Sequence, residues 1–323
     1  MNIDILMYHG FTDKDHHEGI ENHSGKHLHI KKFDEQVRFL KKNYNIVSLN
    51  DVLDYYTQGK KLPPRSIVIT VDDGYKSNWT LAYPVLKEYQ VPATVFVATD
   101  FIDQKQALWV DRIEYGIDKT QQKSVELDVG HHNCKYILGS LKEKERADAQ
   151  IKQILKSLPL KEREQAIQSL EAQLKIALRF SGIPEMYAPL TWENIRAMQD
   201  SGLITIGSHT CSHTILTSCS HDDLLLEITA SKKRIEDMLS HACDHFSYPN
   251  GGKGDFNDTT HHALSKALYR SAMVTVIGTN NELANCYELK RLNVHNSGEM
   301  GGFKRTLSPF ARFLRLVQKW KYV

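Results

Sequence analysis

The chain has 323 residues, 41% hydrophobic and 25% charged, with 41 basic and 39 acidic side chains giving a formal charge of +2. That is the balance of an ordinary globular protein, and it lacks the strongly basic face that nucleic acid demands, so no nucleic-acid partner is expected. No apolar run approaches the roughly 20 residues that span a bilayer, and five scattered cysteines without a C-x-x-C pair argue against a disulfide framework.

Met1-Asn2-Ile3-Asp4-Ile5-Leu6-Met7-Tyr8-His9 predicts a first strand at residues 3–7. The segment has no basic start, apolar stretch or small-residue cleavage site of a signal peptide, so with Met1 as the native start a cytoplasmic location is expected. Further strands are predicted at residues 67–71, 94–98, 204–207, 246–248, 272–276 and 292–294. Helical spacing lies between them, as in Phe33, Val37 and Leu40, or Leu224, Ile228, Ser231 and Ile235. Strands alternating with helices imply βαβ units and a parallel sheet of about seven strands. Spacing leaves open whether that sheet closes into a barrel or stays doubly wound.

One region breaks the rhythm. From about residue 141 to 180 the chain is highly charged, with Ile151, Ile154, Leu155 and Leu158 on one helical face, a break at Pro159, and Ile167, Leu170, Leu174 and Leu178 resuming the pattern. A helical hairpin is predicted within an insertion at about residues 104–185. Amphipathic helices mostly just bury a face, so a surface embellishment is expected ahead of a lid or partner-binding element.

Two segments carry chemistry. In Ile67-Val68-Ile69-Thr70-Val71-Asp72-Asp73-Gly74 a strand runs straight into two carboxylates and a glycine. Alternate strand residues face opposite ways, so both acids reach one site only where the strand ends and the chain turns. In parallel α/β folds that edge holds the active site. Two adjacent carboxylates repel, so one needs a cation or a raised pKa; helix capping is the competing reading. In Gly207-Ser208-His209-Thr210-Cys211-Ser212-His213 another strand end carries two histidines at i, i+4. On a helical turn both rings would share a face and grip one metal, with Cys211 facing away. Joined to the acids they make a two-histidine, one-carboxylate set with open positions. His16-His17, His131-His132 and His261-His262 read as exposed.

Here the chain resembles a known family. Thr70-Val71-Asp72-Asp73-Gly74 resembles the T-F-D-D-G signature of polysaccharide deacetylases (the NodB-homology group, carbohydrate esterase family 4), and His209-Thr210-Cys211-Ser212-His213 is similar to their H-[ST]-x-x-H. Leu6-Met7-Tyr8-His9, Leu190-Thr191-Trp192-Glu193 and Phe246-Ser247-Tyr248-Pro249-Asn250-Gly251 resemble segments of the branch marked by F-A-Y-P-Y-G. The resemblance spans residues 1 to about 300 outside the insertion.

The resemblance implies a distorted (β/α) barrel of about seven parallel strands. It also implies a divalent ion, Zn2+ first with Co2+, Ni2+ or Mn2+ as alternatives, held by Asp73, His209 and His213. Asp72 would be the general base, and His295, in Leu292-Asn293-Val294-His295, the general acid. Tyr248, Pro249 and Asn250 would line the substrate, with a backbone N–H near Asn250 for the oxyanion, and His9 has a substrate role or a structural one. Two features depart from the pattern. Where many relatives carry an arginine in R-x-P-Y that orients the base, this chain has Ser247, and no D-x-x-D-W counterpart is evident. Trp109 and Trp192 read as core or insertion anchors ahead of sugar-stacking surfaces.

The implied reaction removes an acetyl group from an N-acetylated amino sugar in a polysaccharide, lipid-linked or nucleotide-linked sugar of cell-surface glycan biosynthesis. Two rivals stay open: a hydrolase of another C–N amide or imide, and a carbohydrate-binding protein with a weakened site. The basic, amphipathic segment at residues 308–323 is expected to pack on the body of the protein, with peripheral membrane contact as the alternative.

Overall fold

The strands form, and they close into a ring. The computed structural model describes residues 1–294 and 299–317. Its barrel strands are β1 (Asp4–Tyr8), β2 (Ser66–Val71), β3 (Ala93–Val97), β4 (Ile204–Ser208), β5 (His245–Ser247), β6 (Ser271–Ile277) and β7 (Leu289–Asn293), each parallel to the next. Leu6 of β1 lies opposite Ile69 of β2 on one side and Leu292 of β7 on the other, which seals the barrel and settles the choice left open above. Every residue of β2 is buried. Helices outside and side chains inside cover both faces, so the run is continuously apolar instead of alternating.

Helix α1 (Ile30–Asn43) shows how the outer layer attaches. It buries Phe33, Val37 and Leu40 as their spacing predicts, and also Gln36, whose Oε1 accepts from the Tyr8 hydroxyl at 3.0 Å.

Between β3 and β4 the chain leaves the barrel and builds α2 (Trp109–Lys119), an antiparallel hairpin of Ser124–Val129 with His132–Ile137, α3 (Leu141–Lys156) and α4 (Leu160–Leu174). The two long helices and their break at Pro159 are those expected. The third helix and the hairpin were not. Val125 and Leu127 alternate with exposed Glu126 and Asp128, a period-two signal too short to stand out. These elements bury an apolar cluster of their own that includes Ile113, Ile117, Leu127, Ile151, Leu155, Ile167 and Leu170.

At the opposite end from the strand C-termini, α5 (Pro309–Val317) lies against the barrel base. Arg312 holds the fully buried Asp4 at 2.5 Å, while Phe310 and Phe313 stay 70% and 59% exposed. Among the described residues no helix is long and apolar enough to cross a membrane.

Candidate metal centre and catalytic site

Asp72 and Asp73 follow β2 immediately. Asp73 (φ 79°) and Gly74 (φ 87°) are both left-handed, and this turn is what brings the two carboxylates to one mouth. A side chain at Gly74 would meet Ile102 Cδ1 at 3.0 Å, so the turn needs glycine for space as well as conformation. Neither acid caps a helix.

The histidine segment is not a helical turn. His209 leaves β4 into an irregular loop in which Thr210 (φ 66°) and His213 (φ 55°) are left-handed. That strain, of order 1–3 kcal/mol per residue, is the kind surrounding structure must hold in place. The hold comes from Glu227, whose carboxylate accepts from the Cys211 N–H at 2.8 Å, the Ser212 N–H at 3.0 Å and the Ser212 hydroxyl at 2.6 Å. Arg163 of α4 adds a bond to Thr214 at 2.8 Å. Cys211 stays out of the site, as expected but for this different reason: its thiol lies against the Glu227 carbonyl, and burial pushes it up to about 12.

The loop brings the rings to Asp73. His213 Nε2 lies 3.2 Å and His209 Nε2 3.5 Å from Asp73 Oδ1, and one donor atom from each of the three residues lies within 4.8 Å of the others. His209 Nδ1 faces the Ser247 carbonyl at 2.7 Å and must donate to it, which leaves the Nε2 lone pair aimed at Asp73. Asp73 Oδ1, though buried, has no hydrogen-bond partner. Acceptors converging on one point with no donor between them call for a cation, and two imidazoles with one carboxylate suit a divalent ion. The residues fit the implied metal. Burial opposes charge on Asp73, but the two imidazoles outweigh it and keep the carboxyl well below its usual range.

Asp72 is compensated differently. Arg291, on β7 and fully buried, grips it with two parallel bonds of 2.7 Å. Ser247 Oγ donates to Asp72 Oδ2 at 3.2 Å and accepts from Arg291 at 3.0 Å. Burial would raise the Asp72 carboxyl; the guanidinium outweighs it and holds it low, so the acid stays ionised. The arginine missing at position 247 is therefore supplied two strands away. Its signal was present: Arg291 shares a strand face with Leu289, and a charged residue at an inward position is informative in itself.

His9, Tyr248, Pro249 and Asn250 line a cavity of about 500 Å3 together with Asp72, Asp73, His209 and His213. Asn250 is left-handed (φ 63°), held by Thr275 donating to its carbonyl at 2.6 Å, and its own N–H makes no hydrogen bond among the described residues. Burial lowers the His9 pKa, so the ring is neutral at the mouth. His295 lies outside the described residues. Trp109 and Trp192 are buried, the latter bonded to Asp103 at 2.7 Å, and Trp109 also reaches the cavity wall. A larger cavity of about 660 Å3, between the hairpin and α3, holds none of these residues.

The family model described as polysaccharide deacetylase matches residues 59–272. The Bacillus subtilis protein YxkH, named as a polysaccharide deacetylase, is 24% identical over 295 residues, 90% of this chain and 71% of its own length. The poly-beta-1,6-N-acetyl-D-glucosamine N-deacetylase of Escherichia coli is 36% identical over only 70 residues, 21% of this chain and 10% of that enzyme. Among solved structures, the Streptococcus pyogenes deacetylase PplD in complex with acetate superposes with a TM-score of 0.63 at 19% identity, covering 96% of this chain and 99% of its own, which is a likeness of fold.

Proposed function

This chain belongs to the polysaccharide deacetylase family, and on that premise we propose that it is a divalent-metal-dependent deacetylase of an N-acetylated amino sugar, acting in cell-surface glycan biosynthesis. The observation that carries the reading is the pairing, in one cavity, of an unsatisfied Asp73–His209–His213 donor set with an ionised Asp72 beside it. Neither a cyclic-imide hydrolase nor a binding protein gains support from any contact in that cavity.

Asp73, His209 and His213 would hold the ion, which when bound supplies Lewis-acid polarisation of the acetyl carbonyl and lowers the pKa of a water. Asp72 takes the proton of the attacking water as general base. Arg291 and Ser247 fix its two oxygens, so the base meets the water in one orientation without rotamer searching. The Asn250 N–H, which makes no hydrogen bond among the described residues, would donate to the carbonyl oxygen as negative charge develops on it. The leaving amine needs a proton, and His295 remains the proposed donor by the family pattern.

Acetate release from a panel of N-acetylated and O-acetylated glycans, sugar nucleotides and a small cyclic imide tests the reading. Release from N-acetylated sugars alone is expected. Turnover of the imide only, or none by the metal-loaded protein, contradicts it.

A further inference from the structure

The catalytic cavity has a second wall, and the barrel does not make it. Trp109 of α2 and Asp148, Lys152 and Lys156 of α3 line the same 500 Å3 space as the Asp73–His209–His213 set, so the inserted elements face the substrate.

In part of this wall the acids already have partners. His23, Glu114 and Asp148 place donor atoms within 4.8 Å of one another, as a metal site would. Lys152 already fills the role of the cation: its Nζ lies 2.8 Å from Asp148 and 3.4 Å from Glu114, and His23 reaches the same Asp148 oxygen at 2.8 Å. Of the other charged groups around the cavity, Lys26 pairs with Asp111 at 2.6 Å and Asp72 with Arg291 at 2.7 Å, while Asp73 faces the two histidines of the candidate metal set.

Lys156 is left over. Among the described residues it makes no ion pair, although it is half-buried one helical turn beyond Lys152 on the cavity face of α3. Burial lowers its pKa, and Asp255, the acid whose field reaches it, makes no ion pair with it; Asp255 Oδ2 accepts from the Gly252 N–H at 2.7 Å and from the Asn250 amide. An ammonium without an ion pair in the cavity wall is what an anionic oxygen of an acidic sugar would satisfy.

We propose that this wall is a subsite for a neighbouring unit of the substrate and that Lys156 selects one carrying an anionic group, a carboxylate or a phosphoryl. The assignment rests on the deacetylase reading and narrows its substrate class. A neutral N-acetylhexosamine homopolymer leaves Lys156 unpaired; a uronic-acid-containing glycan or a phosphoryl-linked sugar does not.

Equilibrium binding to chelator-treated protein tests it without requiring turnover, so its outcome is independent of whether acetate is released. The ligands are a neutral N-acetylglucosamine oligomer, an acetylated oligosaccharide with one uronic acid, and a nucleotide-linked N-acetylglucosamine. Wild type is expected to prefer one or both acidic ligands at least tenfold. In Lys156→Gln, shown folded by its circular dichroism and melting temperature, that ratio falls toward one, and in Lys156→Glu below one. The uronic-acid and phosphoryl arms distinguish the two sources of charge. Equal affinity of wild type for all three, or a preference that survives Lys156→Gln and Lys156→Glu, overturns the proposal.

Discussion

At the scale of single residues, the site turns on how two adjacent carboxylates are kept ionised and kept different. Asp73 faces two histidines and has no hydrogen-bond partner on Oδ1, whereas Asp72 is held ionised and oriented by a guanidinium. The second arrangement makes a sharp prediction. Lysine cannot reproduce two parallel bonds, so Arg291→Lys is expected to lower kcat by about 10–100-fold, the usual range for an orienting partner, with KM nearly unchanged. Arg291→Ala leaves a buried carboxylate unpaired and costs about 3–5 kcal/mol of stability. Adding Ser247→Arg to it returns a guanidinium to the position where the family pattern has one, and activity should recover relative to Arg291→Ala. Steady-state kinetics and thermal melts of the three variants check this; an Arg291→Lys enzyme with wild-type kcat would contradict it.

The residues that were legible are those whose chemistry is local. Asp72, Asp73, His209 and His213 stand at strand ends within short signatures, and the cavity gathers all four. Arg291 was marked only as a charged residue at an inward strand position, and the contacts of Arg291 and Glu227 were not legible because only closure of the barrel and docking of a helix bring their partners near. The helical-turn geometry expected for His209–His213 failed because i, i+4 spacing fixes ring proximity only if the backbone is helical; here a strained loop achieves it with Thr210 and His213 left-handed.

At the scale of elements, the inserted helices are tied to the barrel-side loop by a titratable link. His23, in the segment before α1, bonds Asp148 of α3 at 2.8 Å. The hydrogen bond to Asp148 raises the His23 pKa, with burial opposing it. The folded value therefore lies above the unfolded one, near 6.5. The stabilisation is complete below that unfolded value and is lost as pH rises through the raised one. The melting-temperature gap between wild type and His23→Gln should be widest near pH ~5.5 and shrink toward pH ~9. A gap independent of pH would show that the contact works through packing alone. The two long helices were readable because their apolar spacing persists over several turns; the hairpin beside them was not, because two buried residues in one strand and one in the other make too short a pattern.

At the scale of the whole molecule, function is concentrated at one end. The candidate metal set and Asp72 gather at the strand C-termini, and the base is closed by α5 through Arg312 and Asp4. Removing residues 309–323 should leave buried Asp4 without Arg312 and lower the melting temperature, yet leave kcat/KM intact because the mouth lies at the far end. Loss of activity in a folded deletion would contradict this polarity. The exposed Phe310 and Phe313 form the surface through which the proposed peripheral membrane contact would act, and flotation with anionic vesicles before and after the same deletion reads it directly. Contact there would turn the mouth away from the bilayer. The barrel itself was legible as seven strand–helix units, but closure was not, since Leu6 meeting both Ile69 and Leu292 is a fact of register that no local pattern encodes.

The central claim is metal-dependent removal of acetyl from an amino sugar by the Asp72–Asp73–His209–His213 constellation. Its most direct test is acetate release from an N-acetylhexosamine glycan by wild type and Asp72→Asn, each metal-loaded, chelated and reloaded. The account predicts release by loaded wild type, its loss on chelation, its return on reloading, and loss of at least ~100-fold in Asp72→Asn under every condition. Release that persists through chelation, or an Asp72→Asn enzyme as fast as wild type, would contradict it.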